Sequence, residues 1–267
     1  MEPGRLFDVA GKVTVITGAG GGIGSALARA FHALGARLVA ADLARPPALP
    51  AGAHYCRLDL AEPGSVAALG RLVEREFGAA DVLINNAGIN EHGRAEDLPL
   101  AEWQKTLAVN LTGTFLCCQE IGRPMIARRR GKIVNLGSRC GFVGIPFNAA
   151  YNASKAGIVS LTQSLAVEWA IHNVQVNAIV PGFVRTPMMA ATLADPAARE
   201  VFARKIPLGR ISEPEDLVGA AVFLSSAASD YVTGAALFVD GGNYASGGVG
   251  AEARDQGLAR MAKEAAR

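Results

Sequence analysis

Residues 13–24 read VTVITGAGGGIG, and this stretch decides the fold. The apolar, β-branched run at residues 13–17 predicts a buried strand. A glycine-rich turn follows at once, and then an amphipathic helix over residues 23–34. Glycine at such a turn lets backbone N–H groups approach a pyrophosphate and lets the helix pack closely on the strand. The stretch therefore predicts a dinucleotide site between the first strand and the first helix.

Asp42 bears on which dinucleotide binds, because it ends the second predicted strand, residues 37–41. A carboxylate there accepts hydrogen bonds from the adenosine ribose hydroxyls and repels a 2′-phosphate, so NAD is the expected cofactor. Arg45 follows three residues later and Arg37 begins the strand, but neither is adjacent to Asp42. A helix-capping or surface aspartate is the alternative interpretation.

Predicted strands and helices alternate along the rest of the chain. Further strands are predicted up to Asp59 and over residues 81–85, 132–136, 174–180 and 235–239, and further helices over 63–77 and 100–128, around Tyr151 and after Glu213. Near-continuous apolar strands between helices are typical of a parallel sheet covered on both faces. Right-handed crossovers make this a single-domain, doubly wound, Rossmann-type α/β fold of about seven strands. We expect the domain to span residues 1–242, and residues 243–267 to form a tail that is flexible or makes an interface.

The composition argues against several classes of function. With 267 residues, half of them apolar, the chain can bury one substantial core. A formal net charge of +2 gives no indication of nucleic acid or a membrane as partner. The four cysteines have no metal-ligand spacing, so we expect no metal site. Because the sequence shows neither a signal-peptide core nor an apolar run long enough to span a bilayer, we expect a cytoplasmic protein.

Tyr151 and Lys155 lie four residues apart on one face of a predicted helix, and Ser138 precedes Tyr151 by thirteen residues. A lysine ammonium beside a phenol stabilises the phenolate and lowers a tyrosine pKa that is ordinarily about 10. Such a phenol can exchange a proton with an alcohol or a ketone near neutral pH. Chance also places this pair on solvated helices, so its meaning depends on the rest of the chain.

Several motifs in one order make the chain resemble the short-chain dehydrogenase/reductase family over essentially all of residues 11–242. These motifs are TGAGGGIG at 17–24, Asp59-Leu60, NNAG at 85–88, Asn110 within VNLTG, Ser138, YNASK at 151–155, Pro181-Gly182 with Thr186 beyond, and VDGG at 239–242. So many motifs in order are far more specific than any one of them.

The resemblance implies that Asn110, Ser138, Tyr151 and Lys155 are the catalytic residues. Tyr151 would pass a proton to or from the substrate oxygen. Lys155 would lower the Tyr151 pKa and bind the nicotinamide ribose. Ser138 would hold and polarise the substrate oxygen. Asn110, in a kinked helix, would anchor a water that connects Lys155 to solvent.

The resemblance also implies a set of cofactor contacts. They are Gly18, Gly22, Ile23, Gly24, Asp42, Asp59, Leu60, Asn86, Ala87, Gly88, Tyr151, Lys155, Pro181, Gly182, Val184 and Thr186. Asp59 would contact the adenine amino group, while Val184 and Thr186 would hold the carboxamide. NADP-dependent members often carry a basic residue in the glycine turn or just after the second strand. Here Gly21 and Leu43 occupy those positions, which favours NAD.

Polar side chains are expected around the substrate. The candidates are Asn90, His92, Arg94, Arg139, Cys140 and Met188. They favour a hydroxylated or anionic substrate, although Arg94 and Arg139 could instead form surface or intersubunit salt bridges, and Cys140 could serve only in packing. The amphipathic segment from Met188 to Ile206 is expected to close over the site as a lid.

The resemblance implies an NAD(H)-dependent oxidoreductase that interconverts a secondary alcohol and a ketone. The overall sequence is similar to sugar-acid and polyol dehydrogenases of the family, such as gluconate 5-dehydrogenases, so a polyol, sugar or hydroxy acid is the expected substrate. An NADPH-dependent 3-oxoacyl-(acyl carrier protein) reductase is the alternative within the class, and a non-catalytic NAD-binding protein is the alternative outside it. Helices pair across two-fold axes in the family, so we expect a homotetramer, with small residues Ala153, Ala156, Gly157 and Ser160 allowing close helix approach.

Overall fold

One seven-stranded sheet organises the chain. The computed structural model describes residues 5–247 and positions 250, 255, 256, 258, 260 and 261. The strands are β1 (Val13–Thr17), β2 (Arg37–Asp42), β3 (His54–Arg57), β4 (Val82–Asn85), β5 (Gly131–Leu136), β6 (Val174–Pro181) and β7 (Ala236–Val239). The helices are α1 (Gly22–Ala33), α2 (Pro63–Phe77), α3 (Leu100–Leu107), α4 (Gly113–Ala127), α5 (Ala149–Trp169), α6 (Ala190–Ala194), α7 (Pro196–Arg204) and α8 (Val218–Ser225). Most of the predicted tail, residues 243–267, lies outside the described residues.

The strands are all parallel and run in the order β3-β2-β1-β4-β5-β6-β7. Val15 of β1 pairs with Val39 of β2 on one side and with Leu83 of β4 on the other. β2 and β3 lie on one side of β1, in chain order. β4 pairs with the other side of β1, and β5, β6 and β7 follow it in that direction. The predicted doubly wound fold is confirmed. The crevice where ligands bind in such a sheet lies outside the carboxyl ends of β1 and β4.

Helices bury both faces of the sheet, which explains why the strands are nearly continuous apolar runs. In β1, Val13 and Val15 pack with α2, α4 and α5, whereas Ile16 packs on the opposite face with α1 and α8. Successive strand residues point to opposite faces, so each face needs its own apolar set. No helix in the described part of the chain is long and apolar enough to cross a membrane.

The long helix predicted over residues 100–128 is interrupted. A π-helical turn, Ala108–Thr112, separates α3 from α4, and the N–H of Gly113 donates to the carbonyl of Ala108. Gly113 lies so close to Leu60 that a Cβ there would be 2.6 Å from the Leu60 Cβ. The turn rotates the segment that carries Asn110 relative to a regular helix.

The predicted lid consists of two short helices and a preceding 3₁₀ turn, Pro187–Met189. The chain breaks between α6 and α7 at Asp195, whose Oδ1 accepts from the N–H of Ala197, and Pro196 begins α7. Lid residues Leu193 and Ile206 are buried in a small cluster separate from the two main cores. The lid is thus a semi-independent layer over the end of the sheet.

Candidate active site

Atoms of neighbouring segments lie very close to the glycine turn after β1. Gly18 has φ +65°, a value that favours glycine, and its N–H donates to the Ala41 carbonyl at 2.8 Å. A Cβ at Gly18 would lie 2.7 Å from the Cα of Ala87, and one at Gly24 would overlap the Gly18 carbonyl oxygen. A Cβ at Gly22 would lie 2.8 Å from the Thr186 Cγ2. A side chain would therefore clash at Gly18, Gly22 or Gly24. The N–H groups and the helix dipole at the start of α1 favour a pyrophosphate there.

Asn86 and Thr17 fasten the segment after β4 to this turn. The Asn86 Nδ2 donates to the carbonyls of Thr17 at 3.0 Å and Gly18 at 2.9 Å. The Thr17 Oγ1 accepts from the N–H groups of Asn86 and Ala87 at 3.1 and 3.2 Å. Sequence reasoning gave Thr17 no such role. The only available signal was a hydroxyl residue at the end of a strand that should lie beside β4.

Asp42 lies at the other edge of the glycine turn. Its Oδ2 accepts from the N–H of Gly20 at 2.8 Å, and its carbonyl accepts from the Tyr55 hydroxyl at 3.2 Å. The Arg45 guanidinium lies over the Tyr55 ring, 6.0 Å from its centroid. The carboxylate is therefore held at the end of β2, where the predicted adenosine ribose would lie.

Asp59 and Leu60 follow β3, on the same side of the turn. The Asp59 Oδ1 accepts from the N–H of Ala61 at 3.0 Å, and the side chain is partly exposed. Leu60 is buried against Gly113. The structure thus places both residues at the carboxyl edge of the sheet, beside Asp42.

Asn110 is fully buried and clamps two segments together. Its Oδ1 accepts from the N–H of Ile89 at 2.8 Å, while its Nδ2 donates to the Ile89 carbonyl at 2.9 Å and the Ser154 Oγ at 3.0 Å. A Cβ at Gly88 would lie 3.3 Å from the Asn110 Oδ1 and 3.6 Å from the Lys155 Nζ. Asn110 therefore ties the segment after β4 to α5, next to Lys155.

Lys155 points inward from α5 and is 4% exposed. Its Nζ donates to the Leu136 carbonyl at 2.7 Å and lies 5.5 Å from the centroid of the Tyr151 ring. Burial lowers the pKa of Lys155 to about 8, because the ammonium loses hydration. The ammonium therefore loses its proton at a lower pH than a solvated lysine does.

Tyr151 does not have the lowered pKa that its spacing from Lys155 predicted. Burial raises the pKa of the phenol, the nearby Cys140 thiol adds to that effect, and a hydrogen bond with Ser138 opposes it. The Lys155 Nζ lies against the ring and donates to the Leu136 carbonyl, and burial lowers the pKa of Lys155 itself. For the Tyr151 pKa, desolvation of the phenolate therefore outweighs the lysine.

Ser138 reaches Tyr151 from the end of β5. It begins a 3₁₀ turn, Arg139–Gly141, and its Oγ accepts from the N–H of Cys140 at 3.1 Å. A Cβ at Gly141 would lie 2.8 Å from the backbone of Lys155, so the turn lies directly on α5. The fold thus brings Ser138, Tyr151 and Lys155 together from two elements.

The segment after β6 faces the glycine turn from the far side. A Cβ at Gly182 would lie 2.8 Å from the Cβ of Asp240, so Pro181-Gly182 passes close to the end of β7. Val184 is 5% exposed and forms an isolated parallel bridge with Ser212. Thr186 contacts Gly22. Of the residues expected to hold the carboxamide, Thr186 therefore lies next to Gly22, at the start of α1.

Asn90 belongs to a chain of amide hydrogen bonds at the start of α5. Its Nδ2 donates to the Asn148 Oδ1 at 2.8 Å and lies 3.2 Å from the Nε2 of His92, which is exposed. The Asn148 Nδ2 in turn donates to the Pro146 carbonyl at 2.8 Å, which fixes the orientation of that amide. Sequence reasoning missed Asn148, although its place three residues before Tyr151 and at the start of a helix was a signal.

The other predicted substrate residues separate into two groups. Arg139 and Cys140 lie on the turn after Ser138 and are partly buried. Arg94 is exposed and pairs with Glu96 at 2.7 Å and Asp97 at 3.8 Å, which is the surface salt bridge considered as its alternative. Met188 is 50% exposed at the start of the lid.

Comparisons with known proteins agree with this fold. Residues 18–243 match the family model described as enoyl-(acyl carrier protein) reductase. The D-threitol dehydrogenase of Mycolicibacterium smegmatis is 41% identical over 245 residues, which cover 88% of this chain and 94% of that protein. The 5-keto-D-gluconate 5-reductase of Escherichia coli (strain K12) is 38% identical over 246 residues, covering 89% and 97%. The crystal structure of a gluconate 5-dehydrogenase from Burkholderia cenocepacia, in complex with NADP and tartrate, has a TM-score of 0.85 at 35% identity and covers 90% of this chain and 98% of its own.

A Rossmann-type sheet, a glycine cradle and a Ser-Tyr-Lys cluster define a nicotinamide-dependent oxidoreductase. The chain belongs to the short-chain dehydrogenase/reductase family, as its motifs predicted.

Proposed function

We propose that this enzyme uses NAD(H) to interconvert a secondary alcohol and a ketone on a polyol, sugar or hydroxy acid. The observation that carries the proposal is the cluster of Ser138, Tyr151 and Lys155, in which the Lys155 Nζ lies next to Gly88, in the segment that Asn86 fastens to the glycine turn. The names of its relatives support the substrate class, because they include a threitol dehydrogenase and a 5-keto-gluconate reductase.

The bound nicotinamide supplies or accepts the hydride. In the oxidation direction, the Ser138 hydroxyl donates a hydrogen bond to the substrate oxygen and orients it toward Tyr151. Tyr151 then takes the alcohol proton as the hydride leaves, which requires that its phenol be deprotonated first. Burial raises the Tyr151 pKa, and the positive charge of Lys155 and of an oxidised nicotinamide, once bound, would lower it. Asn110 holds Ile89 and Ser154 and so fixes the wall behind Lys155.

The preference for NAD rests on Asp42. Its carboxylate accepts from Gly20 N–H at the edge of the turn, so a 2′-phosphate placed there would meet a negative charge. The Burkholderia cenocepacia neighbour holds NADP, so the cofactor of this chain has to be measured directly. Initial rates with NAD and NADP on one alcohol, in wild type and Asp42→Ser, test this point. We expect wild type to favour NAD and the variant to lose most of that preference, and a wild-type preference for NADP would contradict the assignment.

The reaction is tested by an NAD-reduction screen over polyols, sugar acids, hydroxy acids and simple secondary alcohols. We expect Tyr151→Phe to lower kcat about 10²–10⁴-fold on any alcohol that reacts, because it removes the proton-transfer group. NADH binding, followed by quenching of tryptophan fluorescence, should change little. A non-catalytic NAD-binding protein predicts binding without turnover, and an acyl carrier-protein reductase predicts NADPH-dependent reduction of 3-oxoacyl thioesters instead.

A further inference from the structure

Arg139 is a partly buried cation beside the catalytic serine that has no carboxylate partner among the described residues. Two other arginines near this end of the sheet are paired: Arg185 with Glu213 at 2.8 Å and Arg210 with Asp216 at 2.6 Å. The Arg139 guanidinium lies over the Phe183 ring, 5.2 Å from its centroid. A guanidinium kept from full hydration favours an anion that it can pair with.

Phe183 fixes where that guanidinium lies. It follows Pro181-Gly182 at the end of β6, and its ring packs edge-on against Phe202 of the lid, with centroids 4.6 Å apart. Arg139 therefore spans from the turn that begins at Ser138 to the base of the lid. A substrate whose oxygen is held by Ser138 and that extends toward the lid would pass beside this side chain.

We infer that Arg139 binds the carboxylate of the substrate, so that the enzyme's alcohols are hydroxy acids rather than neutral polyols. The planar fork of a guanidinium matches a carboxylate with two parallel hydrogen bonds. The Phe183 ring packs against the guanidinium, and no described residue accepts a hydrogen bond from its N–H groups. The inference rests on the proposed function and narrows its substrate class.

The first test compares acids with polyols of the same chain length, such as gluconate with sorbitol, over four to six carbons. We expect wild-type kcat/KM to favour the acid at least tenfold. Arg139→Met should lower kcat/KM on the acid about 10–100-fold, mainly through KM, because a charge-assisted hydrogen-bonding partner is lost. On the polyol, which offers no carboxylate, the loss in kcat/KM should be at least about fivefold smaller than on the acid, and Arg139→Lys should restore part of the activity on the acid. Arg75→Met, which removes an exposed arginine on α2, serves as the matched control.

Equal losses on acid and polyol would show that Arg139 acts only in packing, and an unchanged acid preference in Arg139→Met would also overturn the inference. The second test does not depend on turnover: calorimetric titration of the enzyme–NADH complex with the sugar acids. Binding by wild type that Arg139→Met weakens at least about tenfold supports the inference even if no alcohol reacts, in which case only the proposed function fails. Absence of binding by every acid, or an affinity of Arg139→Met equal to that of wild type, overturns it.

Discussion

Lys155 is a charged residue whose environment opposes its charge. It is 4% exposed, and burial lowers its pKa to about 8 from an ordinary value near 10.4. Between these two values the unfolded protein binds more protons than the folded protein does. The free energy of unfolding must therefore rise with pH across this window.

We predict that this rise depends on Lys155. Between pH 8 and 9.5 the cofactor-free wild type should gain up to about 2 kcal/mol more stability than Lys155→Met, since each pK unit corresponds to about 1.4 kcal/mol. Urea titrations of both proteins at four pH values measure the difference. Lys12 and Lys132 also have pKa values lowered by burial, so they contribute the same sign to both proteins and cancel. Parallel stability curves for the two proteins would contradict the prediction.

The upper pH limit of that experiment is set by Tyr151. Its pKa is raised by burial, so above pH 10 the unfolded tyrosine loses its proton while the folded one keeps it. Stability then falls with pH, opposite in sign to the effect of Lys155. The sequence predicted the proximity of these two residues, because side chains four apart share a helix face. It did not predict the direction of the tyrosine shift, which depends on the turn at Arg139–Gly141 lying on α5 and desolvating the phenol.

At the scale of elements, the glycine turn was predictable from its own sequence, whereas the kink at Asn110 was expected only from the family resemblance. The glycines between β1 and α1 have a local signature, because the strand, the turn and the helix are contiguous. The π turn Ala108–Thr112 depends on distant contacts instead: Leu60 against Gly113, and Ile89 and Ser154 hydrogen-bonded to Asn110. Its sequence, AVNLT, has no proline or other residue that would interrupt a helix.

The lid is the element whose stability can be changed without touching the site. Asp195 is the N-cap of its second helix, α7, and the Asp195 Oδ1 accepts from the Ala197 N–H at 2.9 Å. We predict that Asp195→Ala destabilises α7 by about 1 kcal/mol, the usual cost of losing such a cap. Hydrogen exchange followed by mass spectrometry should then show protection falling roughly fivefold in residues 196–204, with β1 and β4 unchanged.

Asp195→Asn is the matched control, because an amide oxygen can still accept from Ala197. The lid packs in a cluster of its own around Leu193 and Ile206, so its local opening should not unfold the sheet. If Asp195→Ala lowers protection equally in β1, the lid and the sheet unfold as one cooperative unit and the separation of their cores has no energetic meaning.

At the scale of the whole molecule, the alternation of apolar strands with helices was enough to predict the sheet and the edge that carries the site. The path of individual side chains across that edge was not predictable. Arg94 was expected near the substrate, yet it pairs with Glu96 on the surface. Asn148, which received no role, holds Asn90. A loop side chain can contact any of several residues that are far apart in the sequence. Which contact forms depends on the folded backbone.

The outer face of α5 carries apolar and small side chains that no other described residue covers. Ala153, Ala156 and Ser160 are exposed, and toward the end of the helix Val167 is 81% exposed. Gly157 was expected to share this face, but a Cβ there would lie 2.8 Å from the Leu111 Cδ2, so this glycine serves packing within the chain. Because family resemblance implies that α5 pairs across a two-fold axis, the exposed residues and not Gly157 should make the contact between subunits.

We therefore predict a tetramer that depends on Ala156. Light scattering coupled to gel filtration should give wild type about four times the chain mass of 27.6 kDa. Ala156→Arg, which places a charge where two helices must approach closely, should lower the mass to that of a dimer or a monomer, whereas Ala68→Arg on the exposed face of α2 should not. Gly157→Ala should lower the Tm and leave the mass unchanged, since its clash with Leu111 lies inside one chain. A wild type that is monomeric, or an Ala156→Arg variant that keeps the wild-type mass, would show that α5 does not form the interface.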